Sequence, residues 1–463
     1  MMSQTSYAIH FKPTTTGRGV LQSAPCIGHR TFNPRLRPFL ALTTSIILPH
    51  TMTTAVIIIF ILVYLGMIAG RIPFLRVDRT GIALLGAVAM LLTRELTVTG
   101  AWQAVDASTI FLLFALMVIS ANFAQSGLYA LITRNIIVTN ITPKFLLLIV
   151  IFVIAFLSAL LANDIVCLAT TPVLLSACMQ RKLNPIPYLI ALACAANIGS
   201  AATLIGNPQN ILIGEVLRLS FPKYLAMAIL PVTLSLIVTW GIIVLLTPDF
   251  KAKNSFKISK KIEKDDAANQ ALDWPRAILT SLILIVIVGF FLFTTFHKPI
   301  VALAGASLLL LSRKQHTASI LSRVDWQLLL LFIGLFIVND ALYQTQTLPE
   351  IVKTLANYQI DLESQAPLYV ITAILSNLVS NVPAVLLLLN VVTEPSYGPL
   401  LALSSTLAGN FIIVGSIANI IVVTQAERGG IKIDWLTHAR IGIPVTITTL
   451  ALTGLWLALL NSF

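Results

Sequence analysis

Ser158 stands five residues before Asn163, and Ser376 stands five residues before Asn381. Each pair interrupts a long apolar stretch, the first running 145–178 and the second 367–393. Serine hydroxyls, asparagine carbonyls and the backbone carbonyls freed by a helix break are hard oxygen ligands. At the end of a half-helix, where the dipole is negative, they suit Na+. The half-helix that starts beyond the break has free N–H groups, which attract an anion. One broken helix thus offers places for a cation and an anion close together. A single Ser–Asn pair could serve only to bond packed helices. Two pairs at one spacing, in equivalent places, favour a site. Asp164 follows Asn163, and a carboxyl at membrane depth must be protonated, cation-bound or facing water. Its expected role is to carry a proton or Na+. Asp340, the other acid within an apolar run, could instead be paired with nearby amides.

Two more apolar stretches break at Asn197-Ile-Gly199-Ser200-Ala-Ala-Thr203-Leu-Ile-Gly206-Asn207-Pro208-Gln-Asn210 and at Gly409-Asn410-Phe-Ile-Ile-Val-Gly415-Ser416-Ile-Ala-Asn419. Glycine permits tight backbone turns. Pro208 lacks an N–H and suits the first turn of a new half-helix. Either run alone could be a helix-packing face; the pair is the stronger signal.

Elements of this kind belong in a membrane. The chain has 463 residues, of which 57% are hydrophobic and 10% charged, against about 25% charged in a typical soluble domain. A soluble enzyme, a disordered chain and a fibrous protein are thereby excluded. About 20 apolar residues span a bilayer as a helix, and runs of that order follow one another almost continuously. A net charge of +12 would suggest nucleic acid in a soluble protein. Here the basic residues fall between the apolar runs, as in the cytoplasmic loops of membrane proteins, so no nucleic-acid partner is expected. Cys26, Cys167, Cys178 and Cys194 have no metal-ligand spacing, and three of them read as small core residues.

The hydropathy pattern predicts spans near 52–70, 79–93 and 107–127, the broken stretches 145–178 and 185–219, and a span near 224–247. A hydrophilic linker, 248–274, carries six lysines between 251 and 264. The order then recurs: 275–294, 297–312, 325–345, the broken stretches 367–393 and 398–426, and a span near 440–460. Residues 1–51 read as an N-terminal tail, disordered or upstream of initiation near Met52. They lack a signal-peptide pattern, and the apolar segment 38–49 is too short to span alone. The halves match residue by residue. Leu113-Phe114 matches Leu331-Phe332 and Asn122 matches Asp340, 218 positions on, as Ser158 and Asn163 match Ser376 and Asn381. Gly206 and Asn210 match Gly415 and Asn419, 209 positions on.

If each first broken stretch is a re-entrant hairpin, each half crosses the bilayer five times and the halves are inverted. Placing 248–274 in the cytoplasm puts 20 Lys and Arg residues inside and five outside, leaving aside those of the N-terminal tail, as the positive-inside rule requires. The expected fold is therefore an all-α polytopic membrane protein. It is an inverted repeat of five spans plus one re-entrant hairpin per half, with discontinuous helices, the halves being 52–247 and 275–463. Corresponding interrupted segments in two repeats are the best sequence pointer to a secondary-transporter site.

The breaks resemble the ion-transporter superfamily, which holds arsenite permeases, citrate-transporter-like permeases, sodium/proton antiporters and divalent-anion/sodium symporters. The resemblance rests on 197–210, Ala162-Asn163-Asp164 and 415–419 and covers nearly all of 52–463. It implies an elevator-type, dimeric secondary transporter. The symporters carry Ser-Asn-Thr at each hairpin tip, where Asn and Ser help bind Na+ and carboxylate. Asn163 and Asn381 match those asparagines and Ser380 matches one serine, while Ala162 replaces the other. Asp164 and Val382 depart from the tip threonine, and Asn207-Pro208 and Ser416-Ile417 stand where the symporters have Thr-Pro. The Asn-Asp tip resembles the arsenite-permease and antiporter branches instead. Candidate substrate residues are Asn163, Asn207, Pro208, Asn210, Ser380, Asn381, Ser416 and Asn419. Candidate cation residues are Ser158, Asn163, Asp164, Gly199, Ser376, Asn381 and Ala408.

The expected activity is Na+- or H+-coupled permeation of a small anion across the plasma membrane, with Na+ as the only candidate cofactor. A Na+/H+ antiporter or an arsenite-type efflux permease on the same scaffold is the alternative. No His-Glu-x-x-His motif, Gly-x-Ser-x-Gly elbow or P-loop occurs, which argues against an intramembrane enzyme or direct use of ATP. No histidine is expected deep in a span.

Overall fold

The structure is a computed structural model that describes residues 37–72, 77–94, 96–138, 141–247, 250, 272–311, 316–358, 361–362, 364–392 and 394–460. The chain divides into two compact units, Met1–His50 and Thr51–Phe463. Every side-chain contact below lies within the second. Most of the expected N-terminal tail and residues 251–271 of the linker lie outside the described residues.

The first half holds α1 (Arg37–Ala69), α2 (Arg79–Leu92), α3 (Val98–Ala104), α4 (Ala107–Gln125), α5 (Leu128–Val138), α6 (Pro143–Leu160), α7 (Asn163–Gln180), α8 (Pro185–Ser200), α9 (Pro208–Val216) and α10 (Phe221–Leu246). The second holds α11 (Trp274–Phe293), α12 (Lys298–Leu310), α13 (Thr317–Leu321), α14 (Trp326–Gln344), α15 (Thr347–Asn357), α16 (Gln365–Val379), α17 (Asn381–Leu389), α18 (Gly398–Ala408), α19 (Ile417–Arg428) and α20 (Trp435–Leu460). Among the described residues, six helices are long and apolar enough to cross a membrane: α4, α6, α10, α11, α14 and α20.

All four expected breaks are present. The chain leaves the helix at Leu161–Ala162 between α6 and α7, and at Ser380 between α16 and α17. The runs 201–207 and 409–416 separate α8 from α9 and α18 from α19. Local chemistry sets the restarts. Pro208 opens α9 while the Asn207 side chain accepts from Asn210 N at 2.9 Å. Ser416 caps α19, its hydroxyl accepting from Ala418 N at 3.2 Å. Asp106 and Asp325 cap α4 and α14, accepting from Thr109 N at 2.6 Å and Leu328 N at 3.0 Å. Each supplies an acceptor to an otherwise unpaired first-turn N–H.

The packing of the halves is reciprocal. Helix α4 packs on α12 and α14 on α2; α6 packs on α8 and α16 on α18; α7 packs on α19 and α17 on α9. Helices α10 and α20 pack on each other. Cys167, Cys178 and Cys194 are free thiols buried in this core.

Helix α1 contains the span expected near 52–70. Two features differ from expectation. The short helices α3, α5, α13 and α15 were not anticipated from hydropathy, since none is long enough to give a span. Each of α3, α4 and α5 has its counterpart 219 positions on. Finally, Asn339 rather than Asp340 plays the part of Asn122. Asn122 and Asn339 are buried, and each amide donates to the carbonyl four residues back, at 2.9 and 2.8 Å.

Candidate functional site

The four breaks meet in one buried amide and hydroxyl network. Asn197, near the end of α8, stands at its centre. Its Nδ2 donates to Asn410 Oδ1 at 2.9 Å and to Asn419 Oδ1 at 3.2 Å. Its Oδ1 accepts from Ser416 Oγ at 2.8 Å and, at 3.5 Å, from Asn163 Nδ2. The first hairpin tip, the first broken helix and the second break are thereby joined through one side chain. Thr406 on α18 does similar work nearby. Its hydroxyl accepts from Asn207 Nδ2 at 3.3 Å and Gln209 Nε2 at 3.1 Å, and lies 3.3 Å from Asn210 Oδ1. All of these groups are buried. Away from water an unpaired amide is costly, so mutual pairing is what lets so many polar groups share the core.

Asn210 and Asn419 hold their own breaks in shape. Asn210 Nδ2 donates to the carbonyls of Ser200 (3.4 Å) and Thr203 (2.9 Å), ten and seven residues back. Asn419 Nδ2 donates to those of Gly409 (2.8 Å) and Ile412 (3.1 Å), again ten and seven residues back. Tyr224 of α10 also reaches the first break, donating to Ala201 O at 2.8 Å.

The two hairpins differ. In the second, Ser376 Oγ lies 2.6 Å from the Asn381 amide and donates to Ser405 O at 2.9 Å. Turning the Asn381 amide so that its nitrogen faces Gly415 O (3.1 Å) and Ser405 O (3.2 Å) puts its oxygen 3.2 Å from Gln209 Nε2 and satisfies both ends. Ser380 at this tip has φ +78° and ψ 158°. An L-residue is strained there, at a cost on the order of 1–3 kcal/mol.

In the first hairpin the equivalent oxygens are unused. Ser158 Oγ and Asn163 Oδ1 are buried and, among the described residues, have no hydrogen-bond partner. Two backbone donors at this tip are paired: Asn163 N donates to Gly206 O at 3.3 Å, and Ala162 N to Ser120 Oγ of α4 at 3.0 Å. Gly206 is closely surrounded, and a Cβ there would lie 2.4 Å from Ser200 O and 2.7 Å from Ser158 O. The tip thus offers two unpartnered oxygens, of which Ser158 Oγ can also donate and Asn163 Oδ1 can only accept. Oxygens of this kind can ligate a cation.

Asp164 lines a cavity of about 230 Å³ beside this tip. Its walls are Leu113, Leu116 and Met117 of α4, Ile421 of α19 and Leu328 of α14, with Ala162, Asn207 and Pro208 on the broken side. Arg323 and Asp325 line it too, and both are exposed. Asp325 is also the cap of α14. Asp340 does not join the site; it accepts from Gln344 Nε2 at 2.6 Å.

The remaining expected residues have other roles in the geometry. The Gly199 carbonyl accepts from Ala202 N at 3.0 Å, and a Cβ on Gly199 would lie 2.3 Å from the backbone of Ala155. That glycine lets α6 and α8 touch. The Ala408 carbonyl accepts from Phe411 N at 3.1 Å and Asn377 Nδ2 at 3.0 Å.

Sequence reasoning missed Thr406, and it included Asn197 and Asn410 only as part of a motif. Thr406 lies 209 positions after Asn197, so the repeat offset would have found it. Helix α20 begins at Trp435, so His438 lies in its first turn, at the edge of the span, and is buried. Its Nε2 lies 3.2 Å from the Asn410 carbonyl oxygen. That oxygen also sits where a Cβ on Gly442 would be, at 2.4 Å, so the carbonyl is seated between two residues of α20.

Comparison with known proteins agrees with this architecture. The chain is 29% identical over 435 residues to a 46 kDa membrane protein of Mycobacterium leprae, covering 88% of this chain and 98% of that one. It is 28% identical to the silicon efflux transporter LSI3 of Oryza sativa, covering 82% and 92%. It is 22% identical to the putative transporter arsB of Dictyostelium discoideum, covering 84% and 88%. The fold is similar to the crystal structure of the YdaH transporter of Alcanivorax borkumensis, with TM-score 0.52 and 13% identity over 89% of this chain and 98% of that one. The sequence profile of the citrate transporter family matches residues 55–398, which include both hairpins and the whole first broken helix; the chain is a multi-pass membrane transporter and belongs to the citrate transporter family.

Proposed function

We propose that this transporter is secondary active and moves a small anion coupled to Na+ or H+. The coupling cation loads at the first hairpin tip. One observation carries this: at the tip that carries Asp164, Ser158 Oγ and Asn163 Oδ1 are buried without hydrogen-bond partners among the described residues. A cation gives those oxygens the partner that the protein withholds. The anion is held at the restarts, where α9 and α19 begin at Asn207–Pro208 and Ser416–Ile417 and their dipoles are positive.

An inverted repeat moving as an elevator is supported by the reciprocal helix packing and by the matched bonds of Asn210 and Asn419. The hairpins and broken helices form the mobile body against α2, α4, α12 and α14. The positive-inside count favours a cytoplasmic linker, and the resemblance on which the reading rests favours a homodimer in the plasma membrane.

A second function is favoured by one feature. The cavity beside Asp164 is walled mostly by leucine, isoleucine and methionine and has its only basic residue at the exposed Arg323. Efflux of a weakly acidic oxyacid, or cation/proton exchange, would suit such walls better than a multiply charged carboxylate. The rice relative is named as an efflux transporter. A thermal-shift screen of purified protein against citrate, other carboxylates, arsenite and silicic acid, with and without Na+ and across pH, separates these. A stabilising anion whose effect requires Na+ or acid pH supports the proposed coupling. Stabilisation by Na+ or protons alone, with no anion effective, supports exchange.

A further inference from the structure

Two cavities adjoin the first hairpin, and their linings differ in charge. The one beside Asp164 is lined by two carboxylates, Asp164 and Asp325. The other, of about 350 Å³, is bounded by α4, α5, α7 and the turn between α13 and α14, and no acidic residue lines it. Ile165, Leu168 and Arg323 line both, so the two spaces are neighbours. The walls of the second are mostly alanines of α4, α5 and α7, whose small side chains leave the space open. Tyr129, in the first turn of α5, is buried in this wall, its ring edge-on to Phe123 with centroids 4.9 Å apart. Its hydroxyl has no hydrogen-bond partner among the described residues. A tyrosine hydroxyl usually finds a partner when buried, because leaving it without one is costly. Phenylalanine would fill the same space without that cost, so packing does not account for the hydroxyl.

We propose that Tyr129 and Arg323 form a receiving site for a small oxyanion, a carboxylate or the anion of an oxyacid, on its way to the restarts at α9 and α19. The inference rests on the reading of this chain as an anion permease. Arg323 is exposed, and among the described residues it forms no ion pair. Ser322 beside it donates to Ser319 O at 3.0 Å and so adds no free donor. The open polar groups of the cavity are therefore a guanidinium, which can only donate, and a phenol with its O–H unspent. A guanidinium takes two oxygens of a carboxylate or oxyacid anion at once through its fork. The phenol offers a further hydrogen bond from the buried wall. The neighbouring cavity, with its two carboxylates, would repel the same ligand. Arg323 thus stands where an anion is admitted on one side and a cation on the other. By the positive-inside count it lies on the linker side of the bilayer, so the site receives anion from the cytoplasm or releases it there.

The test is arginine protection in the purified full-length protein. Phenylglyoxal modifies accessible guanidinium groups, and peptide mass spectrometry reads its adduct on each arginine. Citrate, acetate and phosphate are the probes, with chloride at matched ionic strength as the blank. Arg218, exposed in the groove between the end of α9 and the start of α12, reports ionic screening in the same sample. At least one probe should slow labelling of Arg323 and leave that of Arg218 unchanged. Tyr129→Phe keeps the ring against Phe123 and removes only the hydroxyl. In that variant the probe concentration that half-protects Arg323 should rise about tenfold, the effect of one hydrogen bond lost to a charged group. Equal slowing at Arg323 and Arg218, or protection that Tyr129→Phe does not alter, would mean an ordinary surface arginine beside a water-filled cavity and overturns the inference. If a probe stabilises the protein against heat yet does not protect Arg323, this inference alone fails. If no probe protects Arg323 or stabilises the protein, the anion reading fails with it.

Discussion

Asn197 and Thr406 stand 209 positions apart, and each reaches into the other half to the same pair of positions. Asn197 bonds Ser416 and Asn419, while Thr406 bonds Asn207 and Asn210, which precede Ser416 and Asn419 by the same 209 residues. The two halves are therefore stitched by one reciprocal contact, asymmetric only in the side chain that makes it. Asn197 also bonds Asn163 and Asn410. That places the larger share of the network on the side of the first hairpin.

The asymmetry predicts unequal effects of removal. Asn197→Ala strips Ser416, Asn410 and Asn419 of a buried partner, at about 1–3 kcal/mol for a group left unsatisfied. Thr406→Val leaves Asn207 still bonded to Ser200 at 2.9 Å. Thermal unfolding in detergent should show the larger fall in melting temperature for Asn197→Ala. Equal falls would contradict the central place of Asn197.

Ser380 gives a prediction of opposite sign. Its φ of +78° costs an L-residue free energy that glycine avoids. Ser380→Gly should raise stability, by on the order of 1 kcal/mol after the added entropy of the unfolded chain. Ser380→Ala keeps the strain and should give no gain. If the hydroxyl serves the substrate, both variants lose transport, and the glycine variant does so while more stable.

Lys298 and Glu215 form an ion pair at 3.1 Å that ties the end of α9 to the start of α12. If the broken helices move against the scaffold, this pair must part in each cycle. Cysteines at both positions, bridged by a bifunctional thiosulfonate of matching span, should arrest transport, and a reductant should restore it. Undiminished transport by the crosslinked protein would rule out movement between α9 and α12.

The linker is expected in the cytoplasm. A cysteine at Lys257 should react with an impermeant maleimide only after the membrane is opened from that side. Reaction in intact cells would invert the topology.

Much of this was legible in the sequence for physical reasons. Helix breaks at membrane depth need Gly, Pro, Ser and Asn among apolar residues, and such interruptions stand out at Asn163, Pro208, Ser380 and Ser416. Partnership between breaks was not legible. Nothing local to Thr406 distinguishes it from a hydroxyl bonded to its own helix, as Thr372 is to Leu368. Arg323 and Asp325 were hidden for a different reason. They lie at a helix start, where a charged residue is ordinary, and only the folded cavity shows that they share a space with Asp164. His438 stands at a span edge, in the first turn of α20, and only the folded structure shows that it is buried there.

The claim that the first hairpin loads the coupling cation is tested most directly at Asp164. Exchange of the anion selected by the thermal-shift screen should be measured in liposomes over a range of pH and Na+, for wild type and Asp164→Asn. A carboxyl that binds the cation makes the wild type depend strongly on one of them. The asparagine variant should lose that dependence while retaining some downhill anion exchange, because the proposal has the anion held at α9 and α19. An Asp164→Asn protein that keeps the wild-type pH and Na+ profile would contradict the account.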